Sequence, residues 1–189
     1  MSKRGQFPRS VDNWIVTVDP HLHCRTSMSE VYSVPVGVGH AAAKLSAWIL
    51  EHVPNAFVIG PDVESEQWVR AVAEDAGAPY AILEKTRRGD RDVEFLFPDL
   101  EQWRGRTPIL VDDIISSGRT MEVALRHLHQ LGFTGPVCLG VHGLFAEDAF
   151  ERLIAAGASR IVSTNTVPHR SNTVDVADIV AKAACPFLL

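Results

Sequence analysis

Short apolar runs alternate along this chain with segments in which apolar residues recur every three or four positions. The runs, bounded by turn residues, predict strands buried on both faces, whereas the three-to-four spacing predicts amphipathic helices. The predicted strands are 14–18, 56–59, 79–83, 93–97, 109–111, 137–141 and 160–163. The predicted helices are 40–53, a helix from 64 to 76, one from 121 to 131, one around 149–154, and a last one over 173–184.

This alternation of strands and helices predicts an α/β fold with a mainly parallel sheet flanked by helices. The 189 residues suffice for one domain with a sizeable core. Residues 1–13 and most of the segment up to Gly39 are predicted to be irregular, and the charged run 84–92 is predicted to be a connecting loop.

Composition narrows the function classes. A net charge of −5 argues against a general nucleic-acid-binding protein. The three cysteines have no metal-type spacing, and their odd number favours a reduced, cytoplasmic protein over a disulfide scaffold. No apolar run approaches the length of a membrane span, and the first eight residues lack the apolar core of a signal peptide.

The stretch 108–121 combines several features of a ligand site. An apolar run leads into Asp112 and Asp113, followed by a small, hydroxyl-rich turn and the start of a helix. Adjacent residues of a regular strand point to opposite faces, so both aspartates reach one ligand only if the strand ends there. A helix start offers free N–H groups and a partial positive charge to a phosphate. The stretch therefore predicts a site for a phosphorylated sugar.

Three predicted strands end in an aspartate, namely Asp19, Asp62 and Asp112. In open parallel sheets, ligands bind beyond the carboxyl ends of the strands. Carboxylates delivered to that edge indicate a site for Mg²⁺ and a polar substrate.

Residues 111–121 resemble the loop that binds 5-phosphoribosyl 1-pyrophosphate (PRPP) in type I phosphoribosyltransferases and in ribose-phosphate pyrophosphokinases, the PRPP synthetases. That loop alone does not separate the two groups. Five further segments resemble the synthetases and occur in the same order: 17–21, 60–62, 84–88, 141–145 and 164–168. They are closest to the shorter, archaeal-type synthetases, and they imply a type I phosphoribosyltransferase-like fold.

The resemblance also implies roles for individual residues. Asp112 and Asp113 would hold the ribose hydroxyls of ribose 5-phosphate. Its 5-phosphate would be wrapped by Ser116, Ser117, Gly118, Arg119 and Thr120. His21 and Asp62 would bind or position Mg²⁺, and the catalytic Lys85 and Arg87 would close over the phosphates on a flexible loop.

The implied reaction transfers the β,γ-diphosphoryl group of ATP to the C1 hydroxyl of ribose 5-phosphate, giving PRPP and AMP for nucleotide biosynthesis. Such in-line phosphoryl transfer depends mainly on positioning and charge neutralisation. The resemblance implies a homo-oligomer whose small-molecule partners are ATP and ribose 5-phosphate.

The chain departs from the family in three respects. Residues 63–66 replace the glycines that usually follow the Ser-Pro-Asp segment, and Arg119 stands where a smaller residue is common. The synthetases' amino-terminal part, with much of the adenine site, has no match in residues 1–8. We therefore expect residues 1–35 to be a remnant of the amino-terminal domain and residues 36–189 to form the phosphoribosyltransferase-like domain.

Several alternatives stay open at this point. His21 is either a metal neighbour or a loop histidine without a ligand, and the charged run 84–92 on its own is typical of a solvated surface. His142 is either a buried, hydrogen-bonded histidine or a nucleotide contact. The chain as a whole is a PRPP synthetase, a PRPP-consuming phosphoribosyltransferase, or a non-catalytic relative that binds sugar phosphates.

Overall fold

The computed structural model describes residues 13–22, 27–61, 65–88, 92–96 and 98–188. Its core is a six-stranded sheet in the order β10-β9-β8-β7-β3-β4, and every neighbouring pair is parallel. The strands of this sheet are β3 (Ala56–Gly60), β4 (Tyr80–Ile82), β7 (Thr107–Ile115), β8 (Val137–Gly143), β9 (Arg160–Thr164) and β10 (Asn172–Val174). The predicted mainly parallel α/β sheet is confirmed.

Helices cover both faces of this sheet. They are α1 (Ala42–His52), α2 (Glu66–Asp75), α3 (Arg119–Gln130), α4 (Ala149–Ala155) and α5 (Ala177–Ala184). Buried side chains of α1 and α2 pack in one core layer, whereas those of α3 and α4 pack in the other. All five residues of β3 are buried, as expected for a strand covered on both faces. Within the described part of the chain, no helix has the length and apolar character needed to span a membrane.

Two short strands, β1 (Ile15–Val18) and β2 (Val36–Gly39), form a separate parallel sheet against α5. The glycines of β2 allow this close packing, because a Cβ atom on Gly39 would lie 2.3 Å from Ile179 Cγ2. β2 falls in a segment predicted to be irregular, since its Val-Gly-Val-Gly sequence carries no apolar run. The predicted domain boundary lies between these paired strands, and the division into two domains stays a prediction.

The charged run holds a second difference. β5 (Glu84–Arg88) pairs antiparallel with β6 (Asp92–Leu96), so part of the predicted loop is the first strand of a hairpin. The prediction missed β5 because strand pairing uses backbone groups, which charged side chains do not prevent from bonding. The alternating pattern correctly indicated β6. A strand requires a partner, and here that partner is β5.

The end of the chain holds a third difference. Residues 172–174 form β10 rather than a helix, and α5 begins only at Ala177. Side chains fix that start, because Asp175 Oδ1 accepts the Ala177 N–H at 2.9 Å and Asn165 Oδ1 accepts the Val176 N–H at 3.0 Å. Helical spacing does not reveal the bond from Asn165, because its acceptor lies 11 residues before the Val176 N–H.

Candidate functional site: the loop between β7 and α3

A cavity of about 150 Å³ lies at the carboxyl end of β7, where the chain turns into α3. This is the edge at which parallel sheets bind ligands. The predicted binding residues that line the cavity are Asp112, Ser116, Ser117, Gly118, Arg119 and Thr120. The structure therefore brings together most of the residues to which the resemblance assigns the sugar phosphate.

The loop is shaped for an anion by its backbone. Gly118 has a φ of 65°, a left-handed conformation that glycine adopts without strain, and it directly precedes α3. The first helical hydrogen bond runs from the Glu122 N–H to the Gly118 carbonyl at 2.8 Å. The N–H groups before Glu122 in the first turn thus lack acceptors within the helix. With the helix dipole, they favour a negative ligand group here.

The segment after β8 supports the loop from one side. The Ile115 carbonyl accepts the N–H groups of Leu144 and Phe145 at 3.0 and 2.9 Å, and the Ser116 carbonyl accepts the Ala146 N–H at 3.1 Å. Residues 141–145, which resemble a synthetase segment, therefore include part of the support of the loop.

The two aspartates have different neighbours. Asp112 lines the cavity, whereas Asp113 Oδ2 lies 2.7 Å from His21 Nδ1. The expectation that the strand ends before Asp112 is wrong, because β7 stays paired with β8 as far as Ile115. Its regular alternation is nonetheless lost, since Leu110 and Ile115 pack in the same core layer although five positions separate them.

His21 lies just beyond β1, and its pairing with Asp113 places it beside the site. Asp19, which directly follows β1, contacts residues at the start of α1. Its carboxylate accepts the Ala41 N–H at 2.7 Å and lies 2.9 Å from His40 Nδ1. Asp19 therefore binds the start of α1 and does not join the predicted group of three strand-end carboxylates at the site.

The other predicted site residues are only partly described. Lys85 and Arg87 lie on β5 of the hairpin, and their side chains are outside the described part of the structure. Asp62 also lies outside the described residues. Among those described, no group of three or more histidine, cysteine, aspartate or glutamate side chains is placed to hold a metal ion.

His142 is a hydrogen-bonded structural histidine. Its Nε2 lies 3.1 Å from the Val18 carbonyl and 3.2 Å from the Asp19 carbonyl, and its Nδ1 lies 2.8 Å from Thr166 Oγ1. Carbonyl oxygens only accept, so Nε2 carries a proton and donates to them. His142 therefore joins β8 to the end of β1 and to the turn after β9.

Cys138, in the middle of β8, is excluded as a nucleophile. Burial raises the pKa of its thiol to about 12, so that the group stays protonated near neutral pH. The described lining of the cavity offers a carboxylate, hydroxyls, backbone N–H groups and the cation of Arg119.

Sequence reasoning missed Arg152, which lies on α4 and donates through Nη2 to the Ser117 carbonyl at 2.7 Å. Its spacing from Asp148 suggests only an exposed pair within one helix. The contact with Ser117 joins residues 35 positions apart, and no sequence pattern signals it.

The family described as "Phosphoribosyl transferase domain" matches residues 36–178. The chain belongs to this family, as the sequence predicted. Within it, the chain is similar to ribose-phosphate pyrophosphokinases. It is 33% identical to that of Sulfurisphaera tokodaii over 87% of this chain and 56% of the relative. It is 35% identical to that of Methanopyrus kandleri over 89% of this chain and 57% of the relative.

A solved structure agrees with this assignment. The phosphoribosylpyrophosphate synthetase of Mycobacterium smegmatis matches with a TM-score of 0.73 and 27% identity, over 93% of this chain and 59% of that one. The predicted resemblance and fold are confirmed. The chain spans somewhat more than half the length of each of these relatives.

Proposed function

We propose that the protein is a ribose-phosphate diphosphokinase that converts ATP and ribose 5-phosphate into PRPP and AMP. The names of its relatives support this activity. The single observation that carries the proposal is the cavity that joins Asp112 to the 116–120 loop at the start of α3. A carboxylate that can accept hydrogen bonds from sugar hydroxyls then lies beside N–H groups that can donate to a phosphate. A phosphorylated sugar requires both.

In this proposal the loop binds the 5-phosphate through the N–H groups that begin α3 and through its hydroxyls. Asp112 and Asp113 accept hydrogen bonds from the ribose hydroxyls. The C1 hydroxyl, held at a fixed place, attacks the β-phosphorus of ATP. The bond from that phosphorus to the α-phosphate oxygen breaks, AMP leaves, and the C1 hydroxyl loses its proton. Holding the reactants in line supplies most of the rate enhancement in such a reaction.

The donor set suits Mg²⁺. Mg²⁺ commonly binds one or two carboxylates together with substrate phosphates and water, so a cluster of three protein ligands is not required. The carboxylates of Asp112 and Asp113 in the second half of β7 are the proposed source of these oxygens, and His21 Nδ1 lies 2.7 Å from Asp113 Oδ2. When bound, the ion would neutralise charge on the phosphates. The predicted role of Asp62 stays a prediction.

Lys85 and Arg87 are the proposed catalytic cations. They lie on the hairpin of β5 and β6. In the described structure these two strands pair with each other and not with a strand of the six-stranded sheet. On this proposal the approach of the hairpin brings both charges to the transferring phosphates, and removing such a donor costs ~10²–10³-fold in rate. The predicted cytoplasmic location, homo-oligomeric state and lack of nucleic-acid binding stay predictions.

The test combines turnover and binding. Purified protein is assayed for Mg²⁺-dependent AMP formation from ATP and ribose 5-phosphate, and ribose 5-phosphate binding is measured by calorimetry. The double variant Lys85→Ala, Arg87→Ala is expected to lose turnover yet retain binding. The control Arg70→Ala removes a cation whose partner is Glu74 on the surface of α2, and it is expected to change neither.

Other outcomes separate the alternatives. Binding of ribose 5-phosphate without AMP formation, at saturating substrate, would indicate a non-catalytic relative. Pyrophosphate release from PRPP and a nucleobase would identify a phosphoribosyltransferase instead. Absence of both binding and turnover would reject the proposed function.

A further inference from the structure

The guanidinium of Arg152 joins three parts of the protein behind the 116–120 loop. Its Nη2 donates to the Ser117 carbonyl at 2.7 Å, and its Nη1 donates to Asp148 Oδ1 at 2.5 Å. Its Nε lies 3.3 Å from Glu122 Oε2, in the first turn of α3, as an ion-pair contact without a hydrogen bond. One rigid cation thus connects the loop, the helix that follows it, and the start of α4.

We infer that Arg152 is a positioning residue that holds the phosphate-binding loop in its binding conformation before the ligand arrives. The inference rests on the proposed function where the ligand is ribose 5-phosphate. Arg152 contacts a backbone carbonyl of the loop and does not line the cavity, so its effect passes through the loop. A site held in its bound geometry loses less conformational freedom on binding and therefore binds more tightly.

The geometry favours arginine at this position. Two nitrogens of the planar group donate hydrogen bonds and the third makes an ion-pair contact, a set that the single ammonium of lysine cannot reproduce. The side chain is only 30% exposed, so water competes less for these bonds than at the open surface. Hydrogen bonds that involve a charged group are also stronger than neutral ones.

Charge gives Arg152 a second effect on the same loop. Glu122 lies in the first turn of α3 and would repel a phosphate bound at the start of that helix. Arg152 and Arg126 both pair with Glu122. Arg126 is 62% exposed, however, and none of its described bonds reaches the loop. Arg126 is therefore the matched control: it shares the carboxylate but lacks the contact with Ser117.

The first experiment needs no ligand. Amide hydrogen exchange is followed at Glu122, whose N–H bonds to the Gly118 carbonyl, and at Ala146, whose N–H bonds to the Ser116 carbonyl. Arg152→Ala is expected to accelerate exchange at both amides by about tenfold, from the loss of a charge-assisted hydrogen bond. Arg126→Ala is expected to leave both rates within about twofold of wild type, as for an exposed ion pair.

The second experiment measures ribose 5-phosphate affinity by calorimetry at a temperature where every variant is folded. Arg152→Ala should weaken binding by about tenfold, whereas Arg126→Ala should not. Arg152→Lys should give an affinity between those of wild type and the alanine variant. A purely structural role would lower the melting temperature without changing the affinity.

The outcomes are separable. If wild type binds no ribose 5-phosphate, the proposed function fails, and the exchange rates still decide whether Arg152 orders the loop. If wild type binds and Arg152→Ala binds equally well, the inference is overturned. Should the alanine variant not fold, Arg152→Lys decides: wild-type exchange and affinity in that variant would overturn the inference.

Discussion

At the scale of single residues, Gly118 combines two constraints on the site. Its φ of 65° is left-handed, and a Cβ atom at this position would lie 3.3 Å from Leu153 Cδ1 of α4. Both the left-handed conformation and the close approach of Leu153 constrain the residue that joins the 116–120 loop to α3. A side chain here would therefore disturb the N–H groups that we assign to the phosphate.

We predict that Gly118→Ala lowers the free energy of unfolding by about 1–2 kcal/mol and abolishes ribose 5-phosphate binding. The matched control is Gly77→Ala, because Gly77 has a φ of 61° and nothing lies within 4 Å of its Cβ position. That variant should lose similar stability and bind normally. Urea denaturation and calorimetry measure the two effects. Unchanged binding in Gly118→Ala would show that the loop does not need this conformation.

At the scale of elements, the sequence predicts best those segments that bury an apolar face. β3, β8 and α3 were predicted close to their observed positions, because apolar spacing reports directly on burial in the sheet. β2, β5 and β10 were missed. The reasons are specific to each: alternate glycines in β2, charged residues in β5, and the capping side chains that delay the start of α5.

The carboxylates at the start of α5 are expected to make the stability of the protein depend on pH. The Ala177 N–H and Asn165 lower the pKa of Asp175, and Lys44 lowers the pKa of Asp178, both below the ordinary value of 3.8. A carboxyl with a lowered pKa in the folded state stabilises the protein above its unfolded pKa. That contribution is lost as the pH falls through the folded pKa.

We therefore expect the urea midpoint of wild type to fall as the pH drops below about 4. The double variant Asp175→Asn, Asp178→Asn should show a smaller fall over the same range. Asp75→Asn serves as the control, since Asp75 is an exposed residue at the last position of another helix, α2. Equal pH dependence in wild type and the double variant would contradict the assigned role.

At the scale of the whole molecule, the sequence predicted the site better as a local stretch than as an assembly. The 116–120 loop and Asp112 are neighbours in sequence, so their common cavity follows from one turn. The pairing of His21 with Asp113 and of Arg152 with Ser117 joins distant segments. Such contacts depend on how the helices and sheets pack, which the spacing of residues along the chain does not encode.

His142 is one link between the two parallel sheets, because it bonds from β8 to the carbonyls of Val18 and Asp19 at the end of β1. We expect His142→Ala to destabilise the protein by about 0.5–1.5 kcal/mol, because those carbonyls lose a half-buried donor. Exchange of the Asp19 amide, which bonds to the Gly39 carbonyl, should accelerate more than the global stability loss requires. The control His52→Ala removes a bond within α1 and should lack this local effect. Because His21 follows this end of β1, unchanged Asp19 exchange in His142→Ala would mean that the site does not depend on the link between the sheets.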